Sequence, residues 1–299
     1  MLISVTVDDI FKKYGAANGC KLIKDCGFTA VDWSFFESIG EEAPSVLEKS
    51  YDEIKAYYKP QIDAIRENGL EIALAHAPFP AYKAEDPEYM YKCIEVYKKV
   101  IMLCDEVDCP YLVVHGISRK FSWDLSCEEI DELNMELYTS LIPTLLQTNV
   151  KVCLENLFTH RELVEYAGHC CNPREANHWV DRLNDIAGME CFAICLDSGH
   201  ATLTNTSIRH YIEICGKRIQ ALHLHDNSGN DDNHALPYTG KTDWDGLCHF
   251  LGLVGYEGAI NFELSFDKFE PEMEKPALEF TSAAGRAFER KIKEARAKC

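Results

Sequence analysis

Eight short apolar runs, each followed by a longer amphipathic stretch, constrain this chain more than any other feature of its sequence. The runs are LISVTV (2–7), AVDWSFF (30–36), EIALAHAP (71–78), YLVVHG (111–116), KVCLENL (151–157), FAICLDSGH (192–200), IQALHLHDN (219–227) and GAINFELS (258–265). Each has strand length and is rich in β-branched or aliphatic residues. Between them, apolar positions recur every three or four residues, which predicts helices over 51–69, 89–107 and 128–147 and a closing one over 276–298. Gly27, Gly69, Gly188 and Gly255 stand where helices should stop before the next run. Such regular alternation predicts an α/β fold, a single (β/α)₈ TIM barrel spanning 1–299 as one domain. A doubly wound open sheet competes, but it rarely repeats this regularly, and no GxGxxG follows the first run.

Composition narrows the function classes. The 299 residues suit one barrel, and no apolar run approaches the ~20 residues needed to span a bilayer. The opening MLISVTV runs straight into Asp8-Asp9 without a basic start, so the expectation is a soluble, cytoplasmic protein with no membrane partner. None of the fourteen cysteines forms a CxxC pair, and they are expected to be reduced, small, buried residues. Acidic residues outnumber basic ones by 49 to 30, for a net charge of −19. That field repels polyanions and disfavours a nucleic-acid partner.

Histidines and carboxylates cluster at the C-terminal ends of six runs: His76, His115, Glu155, Asp197 with His200, His223 with His225, and Glu263. In a barrel that end forms the mouth, where the loops converge. One histidine closing a strand is ordinarily structural, but an apolar interior cannot hold several converging carboxylates without a cation or a hydrogen-bond network. Oxygen and imidazole donors suit Mn²⁺, Mg²⁺, Co²⁺ or Zn²⁺. Mn²⁺ is the first expectation, with room for additional ions. Alternation puts His223 and His225 on the same strand face, either as ligands or with one orienting a neighbour.

The pattern resembles the xylose-isomerase-like barrel superfamily of sugar isomerases and epimerases, inosose dehydratases and endonuclease IV. The resemblance rests on LEN (154–156), DSGH (197–200), HLHD (223–226), DNHALPYTG (232–240), TDW (242–244) and FEL (262–264), in order on successive strands. It implies Glu155, Asp197, His223 and Glu263 as metal ligands. His223 is chosen over His225 because it stands three residues before an acidic one, Asp226. His200 matches a substrate contact of the sugar epimerases. His76, His115, His200, Asp232 and His234 match ligands of further metal ions in endonuclease IV.

The expected activity is metal-dependent isomerisation or epimerisation of a sugar or sugar phosphate. Glu155 and Glu263 are the proton-transferring carboxylates, and His200, His76, His115, Trp123 and Arg161 are substrate contacts. Trp33, Phe79, Phe158 and Tyr238 join Trp123 as candidates for an apolar wall. Arg119, Lys120, Arg161 and Lys241 are candidates for binding a substrate phosphate. The chain departs from the ketose 3-epimerase pattern, with Arg161 in place of a glutamate six residues after Glu155 and Gly229 in place of an arginine six after His223. The alternatives are a metal phosphodiesterase on abasic DNA, a dehydratase acting on a cyclic polyol, and a barrel that binds a sugar without turning it over. A homo-oligomer is expected from the resemblance alone.

Overall fold

In a computed structural model that describes residues 1–40, 45–86, 88–118, 125–161, 164–266 and 269–298, with 160, 161 and 164 given through their backbone, every apolar run forms a strand. The first five are β1 (Ile3–Thr6), β2 (Ala30–Ser34), β3 (Glu71–His76), β4 (Tyr111–Val113) and β5 (Lys151–Glu155). An antiparallel hairpin of β6 (Phe158–Arg161) and β7 (Val164–Ala167) follows, then β8 (Phe192–Asp197), β9 (Ile219–His223) and β10 (Ile260–Phe262). Eight strands form one parallel sheet in the order β10-β1-β2-β3-β4-β5-β8-β9. The sheet closes on itself where Leu224 N donates to Asn261 O (3.0 Å) and Glu263 N to Leu224 O (3.2 Å). The structure is thus the expected (β/α)₈ barrel.

The intervening helices are α1 (Asp8–Asp25), α2 (Tyr51–Glu67), α3 (Tyr89–Glu106), α4 (Cys127–Thr139), α5 (Ile142–Leu145), α6 (Pro173–Ala187), α7 (Ser198–Leu203), α8 (Ile208–Cys215), α9 (Trp244–Leu253) and α10 (Pro271–Arg296). Local chemistry sets their ends. Ser50 and Glu53 close a capping box on α2, whose buried stripe of Ile54, Tyr58, Ile62 and Ile65 has helical spacing. The four glycines proposed as terminators all take the left-handed backbone, with φ between +61° and +92°. The helix expected over 128–147 is instead two. Pro143 cannot donate back to residue 139, so the chain breaks after α4 and restarts with that proline in the first turn of α5. The last helix starts at Pro271 rather than Pro276, which it carries inside.

Inside the barrel, side chains alternate with a two-residue period, so six of the strands, β2 to β5, β8 and β9, lead from an apolar residue to a polar one nearer the mouth. Ala30, Leu74, Val113, Cys153, Ala193, Cys195 and Ala221 pack as a core cluster of their own, apart from the larger core between sheet and helices. Two residues further along lie Asp32, His76, His115, Glu155, Asp197 and His223. This register positions the site. No disulfide joins the described cysteines, and twelve of them are buried. No described helix is long and apolar enough to cross a membrane.

Candidate functional site

The mouth brings the four nominated ligands together: donor atoms of Glu155, Asp197, His223 and Glu263 all lie within 4.8 Å of one another. His223 Nδ1 stands 3.0 Å from Glu263 Oε2 and 3.4 Å from Glu155 Oε2. The other nominated histidines surround this quartet. His115 Nε2 is 3.0 Å from Glu155 Oε2, and His76 Nε2 is 3.0 Å from His115 Nε2. His200 Nδ1 is 3.1 Å from Glu155 Oε1, while its Nε2 is 3.4 Å from Asp232 Oδ2. His234 reaches Asp232 at 3.2 Å and stacks on His225, ring centroids 4.1 Å apart. The overlapping triads His76–Glu155–His223, Asp197–His200–His225 and His225–His234–Glu263 also have metal-binding spacing.

The sequence motifs are legible as stitching around these groups. Asn156 ties the β5 tip to the β8 tip, donating to Asp197 O (2.9 Å) and accepting from Asp197 N (2.7 Å). Asp197 Oδ1 caps α7 by accepting from His200 N (2.6 Å), which sets His200 one turn on. Ser198 Oγ donates to His225 O (2.8 Å) and accepts from His225 N (3.0 Å), clamping β8 to β9. Between them Gly199 is obligatory, because a Cβ there would overlap the His225 ring. Asp226 accepts from Gly240 N, Thr242 N and Trp244 Nε1, pinning the loop that swings Asp232 and His234 over the mouth. Its role is to hold that loop, away from the metal-spaced groups.

Electrostatics separate the groups. Burial pushes the Glu155 carboxyl up, but His223, His115 and His200 together hold it well below the usual carboxylate range. Burial likewise pushes the Glu263 carboxyl up, but His223 and His234 outweigh it and hold the group well below the usual carboxylate range. His234, despite burial, is held up at about 9 by Asp232. Burial pushes Asp32 up to about 6. Buried polar atoms nonetheless lack hydrogen-bond partners: both nitrogens of His223, Nδ1 of His225, and Oδ1 of Asp232 and Asp32. Acceptors and imidazole nitrogens that converge without hydrogen-bond alignment, in oxygen and nitrogen chemistry, fit a divalent cation.

Beside the cluster lies a cavity of about 300 Å³ whose lining includes Glu155, Glu263, His76, His115, His200, Asp232 and His234, with Phe36 and Phe79 packed on His76 and Phe158 on His200. Phe79 and Phe158 were nominated for this wall; Phe36 was not, although it closes the second apolar run. Trp33 proves to be core, fully buried with Phe35 and Tyr58 around it and Nε1 donating to Gln61. Tyr238 packs outside on Trp244 and Phe288. Lys241 lines a separate groove. Trp123, Arg119 and Lys120 lie outside the described residues, and Arg161 is described by its place in β6 alone. One buried group escaped the sequence reading as a site member: Asp32, 3.6 Å from His223 Nε2, for which two-residue alternation within AVDWS was the signal. His225, read as a ligand or an orienting neighbour, lies 3.1 Å from Asp197 Oδ2.

A closed parallel barrel with a polyhistidine, polycarboxylate mouth at the C-terminal ends of its strands defines the class. The chain belongs to the xylose isomerase-like TIM barrel family, whose model matches residues 20–284. It is 24% identical over 269 residues to an uncharacterized protein, y4fM, of Sinorhizobium fredii, covering 85% of this chain and 83% of that one. Among solved structures it is similar to a D-tagatose 3-epimerase-like protein (TM-score 0.71, 19% identity, 100% of this chain and 99% of that one). It is also similar to the 3-keto-D-glucoside 4-epimerase YcjR of E. coli (TM-score 0.70, 16% identity, 96% and 99%). At such identities the likeness shows the fold.

Proposed function

We propose that the protein is a divalent-metal-dependent isomerase or epimerase of a sugar or sugar phosphate. The observation that carries this reading is the placement of two anionic carboxylates, Glu155 and Glu263, 3.4 and 3.0 Å from His223 Nδ1 and both on the wall of one cavity. Glu155, Asp197, His223 and Glu263 would hold the metal, with Mn²⁺ the first choice. When bound, the ion polarises a carbonyl oxygen and makes the neighbouring C–H more acidic. Glu155, kept ionised by the imidazoles around it, takes that proton on a carboxylate oxygen, and Glu263, also ionised at rest, takes a proton from solvent and delivers it to the opposite face. Return to the same carbon epimerises; return to the adjacent carbon isomerises. His200 holds a substrate oxygen, and the phenylalanine wall excludes water from the reacting atoms. The epimerases among the solved structures of this fold agree with this chemistry.

The test is a panel of ketoses, ketose phosphates and inososes incubated with Mn²⁺ in D₂O. Expected is conversion with deuterium at the carbon beside the carbonyl, lost after chelation and restored by Mn²⁺. Conversion without deuterium, or conversion untouched by chelation, contradicts the proposal; loss of water from an inosose would place the protein with the dehydratases.

A second reading rests on the three further metal-spaced triads, which suit more than one ion. It makes the protein a polynuclear phosphodiesterase. The charge of −19 argues against a nucleic-acid substrate. Three tightly bound zinc ions together with cleavage of an abasic oligonucleotide would favour it.

A further inference from the structure

The His223 ring has two ends, and the second faces a carboxylate that the proposed reaction does not use. Its Nδ1 looks toward Glu155 and Glu263. Its Nε2, which has no hydrogen-bond partner in this structure, is 3.6 Å from Asp32 Oδ2. Asp32 sits on β2, 1% exposed, at the inward position just above Ala30 in the apolar floor. It is not left to find its own orientation. Asn261 Nδ2 donates to the same Oδ2 at 2.8 Å, and Ser4 Oγ donates to Asn261 Oδ1 at 2.8 Å. Ser4, Asn261, Asp32 and His223 thus form one buried polar line across β1, β10, β2 and β9.

An ionisable carboxyl in that position costs stability. An apolar residue of similar size would pack the floor without the loss. Its retention calls for a task, and the geometry offers one. A neutral imidazole carries one proton, and the nitrogen that keeps it is set by what the other nitrogen faces. With Oδ2 of Asp32 facing Nε2, the proton belongs there, and the Nδ1 lone pair is left pointing at the quartet.

We infer that Asp32 is a positioning residue for a metal-binding histidine: anchored by Asn261 and Ser4, its carboxylate faces Nε2 of His223 and, once an ion takes Nδ1, accepts the Nε2–H and thereby fixes the tautomer of the ring. The inference rests on the metal reading proposed above. It concerns affinity for the ion rather than the proton-transfer step.

The test compares Mn²⁺ affinity, by competition with a chelator, in the wild type, Asp32→Asn and His223→Ala, together with the Tm of each in excess chelator. Asp32→Asn is expected to weaken Mn²⁺ binding by ~10- to 100-fold. Its Tm in chelator should stay unchanged or rise, because a buried carboxyl has been replaced by a neutral isostere. A variant that binds Mn²⁺ as tightly as the wild type overturns the inference. So does an affinity loss that comes only with a drop of Tm in chelator, which would mark Asp32 as merely structural. Should this variant fail to fold, Asn261→Ala decides: weaker Mn²⁺ binding supports the anchoring line, and an unchanged Kd overturns it. If the wild type binds no Mn²⁺ while His223→Ala behaves identically, the metal reading itself fails and takes this inference with it. Tight binding by the wild type and Asp32→Asn alike defeats this inference alone.

Discussion

The floor and the mouth of this barrel are built by the same strands two residues apart, yet they obey opposite rules. At the floor, Ala30, Cys153, Ala193 and Ala221 are small, apolar and fully packed. At the mouth, Asp32, Glu155, Asp197 and His223 are as deeply buried but ionisable, and several of their polar atoms lack hydrogen-bond partners. Burial alone therefore does not decide what a barrel interior tolerates; convergence does. A polar group is retained where others come within reach: even level with Ala30, the residues Ser4 and Asn261 persist as a hydrogen-bonded pair that leads to Asp32.

Buried histidines show the same contrast. His234, beside Asp232, is held up at about 9 despite its burial. His169, between Tyr138 and Trp179 and away from the mouth, has a ring nitrogen without a hydrogen-bond partner, and burial pushes it down to about 4. Facing carboxylates hold His200, His223 and His234 up at the mouth, whereas burial pushes His115 down there as it does His169 in the helix layer.

Four measurements break or sharpen this comparison. The largest effect is expected at Glu155, which should be needed for chemistry more than for folding: Glu155→Gln should lower kcat by ~10³-fold while the protein stays folded. Full turnover would remove the proton-transfer assignment. The next is the pH response of His169. Its folded pKa lies below the ordinary 6.5, so above pH 6.5 both folded and unfolded chains leave it neutral. As pH falls from 6.5 toward about 4, only the unfolded chain takes up the proton, and stability should drop by about 3 kcal/mol. Urea titrations of wild type and His169→Phe across that window should show a steeper acid loss in the wild type; parallel curves would contradict it. Third, Gly199→Ala forces a Cβ into the His225 ring and should cost ~10²-fold in kcat/KM by displacing the β8–β9 clamp. Unchanged kinetics would show that the clamp has slack. The smallest effect belongs to the floor, where Cys153→Ala should cost about 1 kcal/mol by denaturant titration and leave kcat intact.

Much of this architecture is legible in the sequence because parallel barrel strands are short, regular and separated by helices with their own stop signals. The eight runs, the four terminating glycines and the gathering of histidines and carboxylates at one mouth follow from periodicity and strand-end placement, while the choice of Glu155, Asp197, His223 and Glu263 among them comes from the family resemblance. What was not legible depends on contacts made after folding. The β6–β7 hairpin is an insertion that pairs with itself rather than with the barrel. Asp32 sits in a run dominated by aromatic and aliphatic neighbours, and its partners Asn261 and Ser4 lie at the far ends of the chain. Asp226 marks the HLHD motif as strongly as its histidines do, but only the fold shows that it is consumed by backbone donors. Trp33 and Phe36 belong to one strand-end run; alternation and loop geometry send one into the core and the other to the cavity.

The central claim is that residues remote in sequence meet around one cation at the mouth. Anomalous diffraction at the manganese edge from crystals of the Mn²⁺-loaded protein tests it most directly. The account requires a peak within bonding distance of Glu155, Asp197, His223 and Glu263, absent in His223→Ala. A fully loaded crystal with no peak among those four side chains, or with manganese bound only elsewhere, would contradict it.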